Sequence, residues 1–120
     1  MLMGLHHVQL AMPKGGEADA RAFYGEVLRM AEMAKPGEMA ARGGCWFEAG
    51  SVRVHLGVET PFAPAKKAHP AFLVASLSGA RDRLGEAGLT WKDDSEMPGF
   101  DRVFIDDPFG NRIELLERRD

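Results

Sequence analysis

Three of the four histidines in this 120-residue sequence, His7, His55 and His69, share with Glu114 a placement that suits them to act together. In a half-buried strand successive side chains point to opposite faces, so residues between apolar alternate positions face away from the core. The apolar sets are Val8 and Leu10, Val54 and Leu56, Phe72 and Val74, and Ile113 and Leu115. By parity, His7, His55, His69 and Glu114 lie on the opposite, concave face. Imidazole nitrogens and a carboxylate, without thiolates, are donors that a borderline divalent cation prefers. Gathering them on one face with no shared partner would be costly, so a metal ion, or else a polar pocket, is the more economical account. Zn, Ni, Mn, Co and Fe(II) all suit such a set. His6 has the opposite parity to His7 and reads as a packing or surface residue.

Around this set stand residues suited to hold a substrate. Arg53 and Arg112 share the ligands' parity and would neutralise an anion. Gln9 follows His7 on the same face, and the aromatics Trp46, Phe47, Phe62, Trp91, Phe100 and Phe104 could line an apolar cavity. Gln9, Arg53, Trp46, Trp91 and Arg112 form the candidate substrate-contact set. The turn Met97-Pro98-Gly99 reads as a rim over the pocket.

These residues need strands to carry them. Leu5 to Met12 alternates and ends at Pro13, a first strand; Glu17 to Met30 spaces Ala20, Phe23, Tyr24, Val27 and Leu28 as an amphipathic helix. Strands Met30 to Ala34, Cys45 to Glu48 and Val52 to Val58 follow, separated by glycine-bearing turns. An irregular, proline-containing connector follows, and a second series begins: strand His69 to Ser76, helix Ser78 to Ala87 capped by Ser78 and ended by Gly88, and strand Thr90 to Lys92. Strands Arg102 to Ile105 and Arg112 to Glu117, joined by a turn over Asp107 to Asn111, complete it. Residue echoes support a duplication: His7 and His69, Gly25-Glu26 and Gly85-Glu86, and Arg53-Val54-His55-Leu56 and Arg112-Ile113-Glu114-Leu115 recur at offsets of 59 to 62 residues. The chain is therefore read as one domain, residues 1–120, built of module one (1–59), a connector (60–68) and module two (69–120).

Composition bounds what else the chain can be. With 45% hydrophobic and 28% charged residues, the sequence fits a single globular domain. A net charge of -3 without clustered Lys or Arg argues against nucleic acid or an anionic membrane as partner. No run of apolar residues is long enough to span a bilayer, and Met1-Leu2-Met3-Gly4 lacks the marks of a secretory leader, so a cytoplasmic location is expected. The single cysteine, Cys45, cannot form an internal disulfide and reads as a small buried hydrophobe.

The motifs Leu5-His6-His7-Val8-Gln9-Leu10, Ala22-Phe23-Tyr24 leading to Val27-Leu28, and Asp107-Pro108-Phe109-Gly110-Asn111-Arg112-Ile113-Glu114 together resemble the glyoxalase/bleomycin-resistance/dioxygenase group, the vicinal oxygen chelate superfamily. That resemblance implies an α+β fold in which two βαβββ modules form a curved, incomplete mixed β-barrel with helices packed outside, usually in a homodimer. Its ligand positions, a His on the first strand of each module and a Glu or His on the last, match His7, His55, His69 and Glu114. It also implies a divalent cation holding two neighbouring substrate oxygens, and, in a glyoxalase I type lyase or isomerase, a carboxylate base, here Glu114. Glyoxalase I enzymes often carry a glutamate where His55 stands and a basic residue shortly after the first-strand His, where this chain reads Val8-Gln9-Leu10-Ala11. Fosfomycin-modifying thiol transferases and extradiol dioxygenases resemble it in a His, His, Glu triad matching His7, His69 and Glu114. Non-catalytic drug-binding and resistance proteins of the same group define the alternative of another class.

Overall fold

Leu10 and Met12 are buried on one side of the first strand, in a first-half core that also takes Ala20, Phe23 and Tyr24 from the helix and Cys45, Phe47, Val54 and Leu56 from later strands. A computed structural model describes residues 1–120, which divide into two compact units, Met1–Pro64 and Ala65–Asp120. The first contains β1 (Val8–Met12), α1 (Glu17–Ala20) running directly into a π-helix (Arg21–Val27), β2 (Ala31–Met33), a 3-10 helix (Gly37–Arg42), β3 (Cys45–Ala49) and β4 (Val52–Val58). Its sheet has the order β1-β4-β3-β2, with β1 parallel to β4 and the other pairs antiparallel. The second contains β5 (Ala71–Leu73), α2 (Leu77–Glu86), β6 (Lys92–Asp94), β7 (Phe100–Asp106) and β8 (Arg112–Arg118). Its sheet, β5-β8-β7-β6, repeats the same order and the same strand directions.

The α+β class and the two βαβββ series are thus present, as two open four-stranded mixed sheets. In the first unit Ala20, Phe23 and Tyr24 are buried at helical spacing, with Tyr24 stacked over Phe47 at 5.6 Å between centroids. In the second, Leu77 and Leu84 of α2 are buried along with Val103, Ile105, Ile113 and Leu115 of the sheet. No helix is long and apolar enough to cross a membrane.

Several boundaries differ from the sequence expectation, each for a visible reason. Strand β1 begins at Val8 rather than Leu5, because Val8 pairs with Val54 while Leu5 stands 78% exposed. The first helix ends at Val27 rather than Met30: Leu28 donates its amide to the Phe23 carbonyl, and Arg29 turns into the left-handed region at φ 57°. Helix α2 is capped by Ser76, not Ser78, since the Ser76 hydroxyl accepts the Gly79 amide at 3.0 Å. Strand β5 shrinks to the three residues that meet Glu114, Leu115 and Leu116. Strand β6 moves from Thr90–Lys92 to Lys92–Asp94, the residues paired with Phe104, Val103 and Arg102. Around its turn β7 starts earlier, at Phe100, and β8 runs on to Arg118.

Candidate functional site

In the first unit the site is organised around His55 in the middle of β4. Register places Gln9 of β1 on one side of it and Trp46 of β3 on the other. Because Trp46 and His55 are directly opposed, their rings stack at 4.0 Å with planes 6° apart. His7, just before β1, stacks on His55 as well, at 4.1 Å and 16°. His55 is 8% exposed, and burial first, then the neighbouring His7 and His6, hold its pKa below the usual imidazole value. Its neutral form, the form with a lone pair for a cation, is therefore favoured.

A cavity of about 660 Å³ opens over this column, lined by Gln9, Trp46 and Arg53 together with His6, His7 and His55. The Gln9 amide lies across Gly57, where a Cβ would collide with it. Arg53 donates to Glu48 Oε1 at 2.6 Å, so part of its charge is already answered. The rim comes from the segment after β2. There Lys35 donates to the Gly43 carbonyl, and Arg42 and Met39 also face the cavity. Gly44 closes this segment: its amide donates to Glu17 Oε2 at 2.8 Å, and a Cβ there would overlap the Leu56 carbonyl.

In the second unit the corresponding β8 position is Glu114, paired with Phe104 of β7 and Ala71 of β5. Its carboxylate is buried, with Oε1 2.9 Å from His69 Nε2 and Oε2 accepting from Arg102 Nη1 at 3.4 Å. The other ring nitrogen of His69 meets the Lys67 carbonyl at 2.8 Å. A carbonyl only accepts, so Nδ1 carries a proton and Nε2 is the nitrogen left to Glu114 or to a cation. Trp91 and Arg112 line a second cavity of about 660 Å³ with Lys66, Lys92 and Phe104. The Arg112 guanidinium lies 4.2 Å from the Phe104 ring centre.

The structure thus brings His7 to His55 and His69 to Glu114, each pair within its own unit. Within neither unit do three His, Cys, Asp or Glu side chains gather in a form that could hold an ion. The donor chemistry fits a divalent cation nonetheless: imidazole nitrogens, that of His55 with its neutral form favoured by burial, and a buried carboxylate. Gln9, Trp46 and Arg53 line one cavity and Trp91 and Arg112 the other, whereas Phe47 is wholly buried in the core. His6 is exposed and touches His7 at 2.9 Å between ring nitrogens. Sequence reasoning missed Arg102, Lys35 and Arg42. Arg102 was findable, since it alternates with Phe104 on one strand face; the other two stand in an irregular segment where parity says nothing.

A family model for the Glyoxalase/Bleomycin resistance protein/Dioxygenase superfamily matches residues 4–115. Among solved structures, a glyoxalase family protein from Bacillus anthracis is 47% identical, with a TM-score of 0.96 over 99% of this chain and 98% of that one. A genomically encoded fosfomycin resistance protein from Listeria monocytogenes has a TM-score of 0.77 at 16% identity, covering 99% and 96%. A lactoylglutathione lyase from Agrobacterium tumefaciens has a TM-score of 0.73 at 19% identity, covering 95% and 92%. At those two identities the likeness is one of fold. No curated protein matches the sequence.

Proposed function

The chain belongs to the glyoxalase/bleomycin resistance protein/dioxygenase superfamily, and from that premise we propose that it is a divalent-metal-dependent lyase or isomerase of glyoxalase I type acting on a small oxygen-chelating substrate. His7, His55, His69 and Glu114 are the ligands in this reading, and Glu114 is also the base. The observation that carries it is the buried Glu114 carboxylate, held between the His69 imidazole and the Arg102 guanidinium. Buried carboxylates held by such partners cluster at functional sites, and that supports the reading.

The chemistry a bound divalent cation would supply is Lewis-acid polarisation of a substrate carbonyl. The chain's own residues do the rest. Glu114 takes the proton alpha to that carbonyl on one carboxylate oxygen and returns it to the neighbouring carbon. Arg102 answers the carboxylate charge before the proton is taken, and the Lys67 carbonyl, accepting from His69 Nδ1, turns Nε2 toward Glu114. Trp46 and Gln9 bound the substrate's space in the first unit, and Trp91 and Arg112 bound the cavity of the second. A homodimer belongs to the same reading and rests on kinship, whereas the cytoplasmic location and the modules 1–59 and 69–120 joined by 60–68 rest on the sequence pattern.

The test is turnover of the metal-loaded protein on the hemithioacetal of methylglyoxal. Isomerisation that falls about 10²-fold or more in Glu114→Gln supports the proposal. Oxygen uptake with catechols would assign a ring-cleaving dioxygenase instead, and consumption of a thiol with an epoxide a transferase. Tight binding of small molecules without any turnover would leave a non-catalytic binding protein.

A further inference from the structure

The first unit's cavity carries an imbalance that a metal site does not use. Its cationic side chains are Lys35, Arg42 and Arg53, and its carboxylate is Glu48. Glu48 is already taken by Arg53 at 2.6 Å. Glu17, outside the cavity lining, has its carboxylate engaged by the Gly44 amide. Lys35 and Arg42 are therefore left without a carboxylate partner facing the cavity they both line, although Glu17 behind it feels the Lys35 charge. The Lys35 ammonium is anchored on the carbonyl of Gly43, the residue that follows Arg42, and it has two further N–H groups to give. Beside these charges lies bare apolar surface. Met33 and Met39 are 41% and 39% exposed, both line the cavity, and Trp46 forms part of its wall. A cavity of about 660 Å³ is of the size that encloses a small organic ligand.

We propose that this cavity binds an organic anion, its carboxylate or similar head read by Arg42 and Lys35 and its apolar body laid against Met33, Met39 and Trp46. This names the substrate class and rests on reading the cavity as the substrate's part of the site. A guanidinium fork suits a carboxylate's two oxygens, and thioether side chains adapt to varied apolar bodies. Met39 and Arg42 ride on one short segment, the 3-10 helix, with glycines in the left-handed region at Gly37 and Gly43, φ 49° and 77°. The second unit's cavity has a weaker claim, because Asp106 and Asp107 stand among its cations Lys66, Lys92 and Arg112.

The experiment uses chelator-stripped full-length protein, so it is independent of whether a metal binds. Phenylacetate and its neutral isostere phenylacetamide are titrated by calorimetry into the parent and into Arg42→Gln, and Trp46 quenching is followed in a Trp91→Phe background. The expected result is phenylacetate binding about tenfold tighter than the amide, with quenching of Trp46, and loss of most of that preference in Arg42→Gln. Arg42 is exposed on a surface segment, and circular dichroism is the check that the variant folds. Equal binding of acid and amide, a preference that survives Arg42→Gln, or no binding of either at tens of millimolar would overturn the proposal. Metal binding measured separately then tells whether the metalloenzyme reading stands or falls by itself.

Discussion

Trp46, His55 and His7 form a ladder of planar rings because register sets two of them face to face on neighbouring strands and chain direction brings the third alongside. Residue types and parity drew attention to His55 and Glu114, which lie within the long strands β4 and β8. They were insufficient for Lys35 and Arg42, whose positions depend on a 3-10 segment and on glycine conformations that carry no periodic signal. Cys45 was legible for a simpler reason, its place in an apolar run. It is 1% exposed, and burial pushes its thiol up to about 11. The native protein should therefore resist thiol reagents at pH 8 and react with Ellman's reagent only once unfolded in guanidinium. Prompt labelling of the folded chain would contradict this assignment.

At the scale of elements, existence and order were readable while ends were not, because ends are set by pairing with another strand. Strand β5 illustrates this: its sequence alternates beyond Leu73, yet its ladder with β8 covers Ala71–Leu73, flanked by single backbone bonds at Pro70 and Val74. Helix α2 shows the same ambiguity at a cap, where Ser76 and Ser78 both precede a helical stretch. The buried Leu77, whose amide donates to Glu117 Oε1 at 2.6 Å, must be the first helical residue and so makes Ser76 the cap. Ser76→Ala should cost about 1 kcal/mol in urea unfolding, and Ser78→Ala much less. Glu17, at the start of α1, ties that helix to Gly44 beside the cavity rim. The Gly44 amide holds its carboxyl below the ordinary value of 4.5. Its stabilisation is thus complete above that value and disappears as pH falls through the lower folded-state pKa. The stability gap between the parent and Glu17→Gln, at most about 1 kcal/mol near neutrality, should close on acidification in denaturant titrations at several pH values. A gap that widens in acid would reverse the sign and refute the linkage.

For the molecule as a whole, duplication is the organising fact, and it was visible as echoes at offsets of 59 to 62 residues. The structure gives it a physical form. His55 and Glu114 occupy equivalent registers, each opposite an aromatic residue of the preceding strand, Trp46 or Phe104, and each beside a parallel first strand. One half thus presents stacked imidazoles and the other an imidazole bonded to a carboxylate. Strand parity marked two such residues in each unit, and neither unit gathers three of them in a form that could hold an ion. The measurement that tests the central claim most directly is calorimetric titration of chelator-stripped protein with Ni, Zn, Mn and anaerobic Fe(II), repeated on His55→Ala and Glu114→Ala. The account predicts binding at about one ion per chain with a dissociation constant below about 1 μM in the parent, abolished in both variants. No binding to the parent, or undiminished affinity in Glu114→Ala, would contradict it.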